Sequence, residues 1–291
     1  MKYLHFIMKF GLLNFVEEVL ERRKLWDLQK HDFVFSADSS SFSDTREYVS
    51  IVNMAAENQE TFNRFRSNRQ YRKILEHVTK DLGYRYLSEI KELNKDYASL
   101  FSKVTYLDSI GGPLRYRFKQ LGSLSPTTIR YMYVHLRLRS LFGSLDGYRI
   151  IEIGGGFGGQ AALSTSLESN LHWRIYDLPS VIKLQKKFTD SLGLSTKMSF
   201  SSGLDLESNS GDLLISNYAL SEISRNLQME YISSVIQNCP RGYMTWNLIS
   251  ERNGDGLSVV EVLGLIPNSM AFDEFPLTDE GNKIIVWGSR F

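Results

Sequence analysis

The run Arg149-Ile150-Ile151-Glu152-Ile153-Gly154-Gly155-Gly156-Phe157-Gly158-Gly159-Gln160 decides the fold of this 291-residue chain. A β-branched stretch ending in a glycine cluster and passing into Gln160-Ala161-Ala162-Leu163 predicts a strand, a tight turn and a helix. Glycines there allow backbone conformations closed to other residues and let a ligand approach the peptide groups. Downstream the same grammar repeats. Strands are expected at 149–153, 173–176, 197–200, 212–216 and 242–249, with helices at 158–168, 179–192 and 225–238. This alternation predicts an α/β fold, a doubly wound parallel sheet with helices on both faces. Two last strands, near 269–273 and 283–288, are separated by a Pro/Asp/Gly turn and no helix, so the final strand should run antiparallel.

The glycine turn alone fits two ligands. Gly154, Gly156 and Gly159 satisfy the dinucleotide pattern G-x-G-x-x-G, whereas Glu152, Gly154, Gly156 and Gly158 satisfy the acidic-x-G-x-G-x-G pattern of S-adenosylmethionine (SAM) binding. Asp177, at the end of the next strand, can accept from both ribose hydroxyls of either ligand; it could also cap the helix that Pro179 begins. Three features favour SAM. Glu152 suits a methionyl ammonium and would repel a pyrophosphate. The turn begins past the midpoint, leaving no room for a second catalytic domain. The terminal hairpin is similar to the antiparallel last strand that SAM methyltransferases add to a doubly wound sheet.

Upstream of Arg149 the pattern is helical. Leu4, Ile7, Met8, Leu12, Phe15, Val16, Val19 and Leu20 recur at helical spacing, and 47–54, 62–78 and 131–142 carry apolar residues three to four apart. Residues 36–45 read as a loop, Gly111-Gly112-Pro113 as a turn, and Ser125-Pro126 as a helix start. The expected division is a helical acceptor-side cover over 1–124 and a SAM-binding domain over 125–291. Residues 1–148 hold 23 Lys/Arg against 17 Asp/Glu (+6), and the remainder holds 11 against 16 (−5), although the whole chain carries only +1. Apolar residues make up 42%, which excludes a disordered chain. The single cysteine, Cys239, excludes an internal disulfide and a thiolate zinc site, and a cytoplasmic setting is expected. No stretch approaches the roughly 20 apolar residues of a membrane span. His5, His31, His77, His135 and His172 lack metal-ligand spacing, so no metal is expected.

Taken together, Ile151 to Gln160, Tyr176-Asp177-Leu178-Pro179-Ser180-Val181, Ser216-Asn217-Tyr218-Ala219-Leu220-Ser221-Glu222, Gly242-Tyr243-Met244-Thr245-Trp246-Asn247 and Asn282-Lys283-Ile284-Ile285-Val286-Trp287-Gly288 resemble the bacterial sugar O-methyltransferases. These are class I SAM-dependent enzymes associated with polysaccharide and glycosylated natural-product pathways, and the expected role here is methylation of a sugar hydroxyl in polysaccharide, capsule or glycoconjugate biosynthesis. The resemblance covers the chain from about Ser125 onward, together with Gly111-Gly112-Pro113. It implies a Rossmann-like sheet and SAM held by the turn. Gly154, Gly156 and Phe157 would lie beside the methionine, with Gly155, Gly158 and Gln160 in the same segment. Asp177 would hold the ribose, Leu178 and the Ser202-Gly203-Leu204 segment the adenine, and Asn217 would stand near the methyl group.

The acceptor hydroxyl is a poor nucleophile, so a nearby base is useful. Plant small-molecule O-methyltransferases are similar in their Asp-Leu-Pro and carry a His-Asp pair after the fourth strand. Here Ser221-Glu222 stands there instead, which makes Glu222 the leading base, although it could merely favour the following helix N-terminus. His135 is the competing base, with a structural role as its alternative. Tyr218 and Asn247 are expected to touch the acceptor. Arg115 and Arg117 could bind a nucleotide-linked or phosphorylated sugar, or simply be solvated. A phenolic or polyketide acceptor is the first alternative, and a noncatalytic SAM- or RNA-binding module the second. A pI near 7.8 argues against nucleic acid as partner. A homodimer is compatible with the sequence.

Overall fold

The computed structural model describes residues 46–203 and 210–290. The amphipathic segment expected near the start, the loop expected at 36–45 and Leu204 lie outside the described residues.

Three long helices precede the sheet: α1 (Arg46–Glu57), α2 (Lys80–Leu93) and α3 (Pro126–Phe142). Asn58 and Thr79 cap the helices that follow them, and Ser125 accepts from the Thr127 amide to start α3, with Pro126 in its first turn. The single helix expected over 62–78 is instead broken into Gln59–Phe62, Phe65–Ser67 and Arg69–Ile74. The reason is tertiary. Arg66 turns inward, its amide donating to the Gly111 carbonyl at 2.9 Å, and its side chain pairs with Glu76 and Asp108. Those carboxylates also accept from Thr127 Oγ1 at 2.8 Å and Thr128 Oγ1 at 2.7 Å, which fixes the start of α3. A two-stranded ribbon, Tyr116–Phe118 with Gly122–Leu124, joins α2 to α3.

The sheet comprises β1 (Arg149–Ile153), β2 (His172–Asp177), β3 (Met198–Ser202), β4 (Leu213–Asn217), β5 (Gly242–Trp246), β6 (Met270–Asp273) and β7 (Lys283–Trp287). Between them lie α4 (Gly159–Leu167), α5 (Pro179–Ser191), α6 (Arg225–Ser234) and α7 (Val259–Leu265). The order is β3-β2-β1-β4-β5-β7-β6. β7 is inserted between β5 and β6 and is antiparallel to both. The fifth strand stops at Trp246 rather than 249, because the Asn247 amide donates to Ser221 Oγ at 3.1 Å. The sixth helix ends early, at Ser234, and continues as a 3₁₀ turn.

Alternate residues supply the two cores. Ile150, Ile175, Leu213 and Ile215 face α1 to α5, whereas Ile151, Ile153, Leu214 and Met244 face α6 and α7. Burying both faces explains the near-continuous apolar strands. Gly242 is demanded by register: it pairs with Trp287, and a Cβ there would run into the indole ring.

Candidate active site

The carboxyl ends of β1, β2 and β4 open into a cleft, where ligands bind in sheets of this kind. The turn after β1 forms its floor. Gly154 has φ +73°, its amide donates to the Tyr176 carbonyl at 2.9 Å, and a Cβ there would collide with Ala219. Only glycine meets both conditions.

Asp177 ties the second strand to this turn. Its Oδ2 accepts from the Gly155 amide at 3.0 Å and from Gln185 Nε2 at 2.7 Å, and its Oδ1 from the Leu178 amide at 2.8 Å. Glu152 is buried, 2% exposed, with Oε2 accepting from Trp173 Nε1 at 2.9 Å. Burial pushes its carboxyl up to about 8 despite that bond. A cation brought beside it would restore the charge.

The far wall is the segment after β4. Tyr218 holds φ +71°, a strained conformation for an aromatic residue, secured by its amide bond to the Thr245 carbonyl and by its hydroxyl, which donates to Glu274. One turn on, Glu222 accepts from Asn247 Nδ2 at 2.6 Å. Burial pushes Glu222 up to about 7, with the Asn247 bond opposing. A carboxyl near 7 is suited to taking and holding a proton at neutral pH.

The cleft brings together Glu152, Gly154, Gly155, Gly156, Gln160, Asp177, Leu178, Gly203, Asn217, Tyr218 and Glu222. Other sequence candidates lie elsewhere. Phe157 turns into the helical layer, 4.9 Å from the Phe188 ring centre and 5.7 Å from that of Phe65. Gly158 serves as the N-cap of α4. Asn247 stands behind Glu222 rather than in the cleft wall. Arg115 and Arg117 are exposed on the ribbon and line no part of the cleft. His135 is fully buried between α3 and α4, 3.2 Å from Ser164 Oγ, and burial with Arg139 lowers it to about 3. It does not line the cleft; its Nε2 lies 3.5 Å from Glu168 Oε1.

The helical layer adds wall residues that sequence reading missed: Tyr48, His77, Arg130 and Tyr131. His77 Nδ1 lies 3.0 Å from the Ile74 carbonyl, and burial followed by the Arg130 charge lowers its pKa. Spacing alone does not single out Arg130, because α3 carries three arginines and only packing separates the buried Arg130 from the exposed Arg139. Among the described residues no group of three or more His, Cys, Asp or Glu could hold a metal ion, and no helix is long and apolar enough to cross a membrane.

A seven-stranded sheet in this order, with only β7 reversed and a glycine turn closing the cleft after β1, is the class I methyltransferase fold. No family model matches the chain, and no curated protein matches it. Solved structures with a related fold include an O-methyltransferase from neocarzinostatin biosynthesis in complex with SAM and a naphthoic acid, at 12% identity and TM-score 0.37, covering 56% of this chain and 57% of that one. An O-methyltransferase family 2 protein from Planctomyces limnophilus, complexed with apigenin, has 17% identity and TM-score 0.38, covering 54% and 58%. The methyltransferase domain of bacterial CtHen1-C has 13% identity and TM-score 0.41, covering 54% and 95%. This chain thus spans just over half of the first two.

Proposed function

We propose that this chain is a SAM-dependent O-methyltransferase acting on a sugar hydroxyl, with Glu222 as the general base. The observation that carries the reading is that Glu222, raised to about 7 by burial against the opposing Asn247 hydrogen bond, faces the same cleft as the glycine turn and Asp177.

The residues present fit the cofactor. Asp177 offers a carboxylate at the ribose position, Leu178, Ile223 and Leu227 offer apolar surface for an adenine, and Glu152 offers a buried carboxyl for the methionyl ammonium. When bound, SAM supplies an electrophilic methyl group on a sulfonium. Tyr48 and Tyr131 line the cleft and limit the access of water. Asn217 and Tyr218, fixed by strain and hydrogen bonds, orient the acceptor. Glu222 then takes the proton as the hydroxyl oxygen attacks. In the proposed division, the 1–124 cover adds Tyr48, Ile74, Leu75 and His77 to the cleft wall, and the 125–291 domain contributes the cofactor residues together with Glu222 and Tyr218. The proposed setting is cytoplasmic, in polysaccharide, capsule or glycoconjugate assembly.

Calorimetry with SAM and S-adenosylhomocysteine tests the cofactor; absence of binding to both would overturn the proposal. A mass-spectrometric screen for gain of one methyl across sugars, sugar phosphates and phenols tests the acceptor. A product methylated only on phenols would overturn the sugar assignment, and one methylated on carbon would overturn O-methylation.

A further inference from the structure

Among the described residues two arginines are buried, and they differ in one respect. Arg66, 1% exposed, is neutralised by Glu76 and Asp108. Arg130, 7% exposed, forms no ion pair among the described residues. Its contacts are neutral: Nη2 donates to Asn217 Oδ1 at 3.4 Å, the guanidinium lies 5.0 Å from the Tyr218 ring centre, and the Tyr86 hydroxyl accepts a hydrogen bond from it. The Glu274 carboxylate acts on Arg130 from a distance without pairing with it, its oxygens accepting from the Tyr218 hydroxyl, the Thr278 amide at 3.0 Å and Asn282 Nδ2 at 3.1 Å. Burying a cation with no anion in contact is costly, and a ligand's anion would relieve that cost.

We propose that Arg130 is an anion-binding residue of the acceptor site, which pairs with the carboxylate or phosphate of an acidic acceptor. This rests on the methyltransferase reading and narrows its substrate class. Position favours the acceptor over the cofactor. Arg130 stands beside Asn217 and Tyr218 at the end of β4, and it also lines a small pocket against Thr245 and Phe275, beyond β4 from Asp177 and Gly203. A guanidinium binds either oxyanion through two parallel hydrogen bonds, which would align the hydroxyl to be methylated with Glu222. The exposed Arg115 and Arg117 cannot do this from the ribbon.

The test uses the full chain saturated with S-adenosylhomocysteine. Inorganic phosphate and acetate are titrated against chloride at matched ionic strength, and binding is read by calorimetry and thermal shift. The wild type should bind phosphate or acetate, Arg130→Gln should bind it about tenfold or more weakly, and Arg130→Lys should retain part of the affinity. Preference for phosphate indicates a phosphorylated or nucleotide-linked sugar, and preference for acetate a uronic acid. No binding beyond chloride, or equal binding by Arg130→Gln, overturns the proposal. A loss of about tenfold or more in S-adenosylhomocysteine affinity in Arg130→Gln also overturns it, because the cation would then belong to the methionyl carboxylate. Should the Gln variant not fold, Arg130→Lys with unchanged phosphate affinity overturns it alone. A wild type that binds no S-adenosylhomocysteine sinks the methyltransferase reading instead, and phosphate titration of the ligand-free protein still tests Arg130.

Discussion

Glu152 makes a sharp prediction about pH. The carboxyl is 2% exposed, and burial moves it from an ordinary 4.5 to about 8. At about 1.4 kcal/mol per tenfold, that displacement corresponds to roughly 5 kcal/mol as an upper bound, and solvent relaxation should reduce it to about 3 kcal/mol. Because the folded value is raised, the protonated carboxyl's contribution is fully present below pH 4.5 and is lost as pH rises through about 8. Glu152→Gln imitates the protonated form and still accepts from Trp173 Nε1. Urea unfolding of the ligand-free variant should therefore match the wild type near pH 5 and exceed its stability by about 3 kcal/mol near pH 9. Glu222 leaves a smaller slope in both proteins. Identical pH dependence in the two would refute the buried, neutral assignment of Glu152. Ligand binding supplies an independent reading, since a methionyl ammonium favours the charged carboxyl. Wild-type affinity for S-adenosylhomocysteine should rise with pH toward about 8, and Glu152→Gln should flatten that rise.

Glu222→Gln should keep S-adenosylhomocysteine affinity and lose turnover by about 10²–10⁴, read by mass spectrometry; unchanged turnover would dismiss it as the base. Asp177→Ala should weaken cofactor binding by about tenfold or more in calorimetry, and it also frees the Gly155 amide; retained affinity would contradict the ribose role. His135→Gln should leave turnover within about threefold of the wild type, since the buried imidazole does not line the cleft, and a larger loss per folded molecule would return it to the chemistry. Arg66→Ala should destabilise by about 3–5 kcal/mol in urea unfolding, because Glu76 and Asp108 lose their buried counter-charge; a change under about 1 kcal/mol would show that they are not ionised together.

Much of the site was legible along the chain because its parts are local. Gly154 and its neighbours announce a strand-turn-helix by spacing, and Asp177 follows at the end of the next strand. The 62–78 segment was misread as one helix because its apolar spacing is genuine, while the inward turn of Arg66 depends on Glu76, Asp108 and the Gly111 carbonyl. Phe157 and His135 were candidates by neighbourhood and chemistry, and packing sends both away from the cleft.

By itself the sequence determined the doubly wound sheet, the reversed last strand and the cofactor turn, since period-2 burial, β-branched runs and glycine sterics act over a few residues. The tertiary structure alone decided which charges are buried and what they face. It neutralised Glu152 and brought Glu222 near 7 by withdrawing them from water. It put two carboxylates in contact with Arg66 and none in contact with Arg130. Those outcomes depend on the dielectric and the partners that distant segments supply, which residue spacing does not encode.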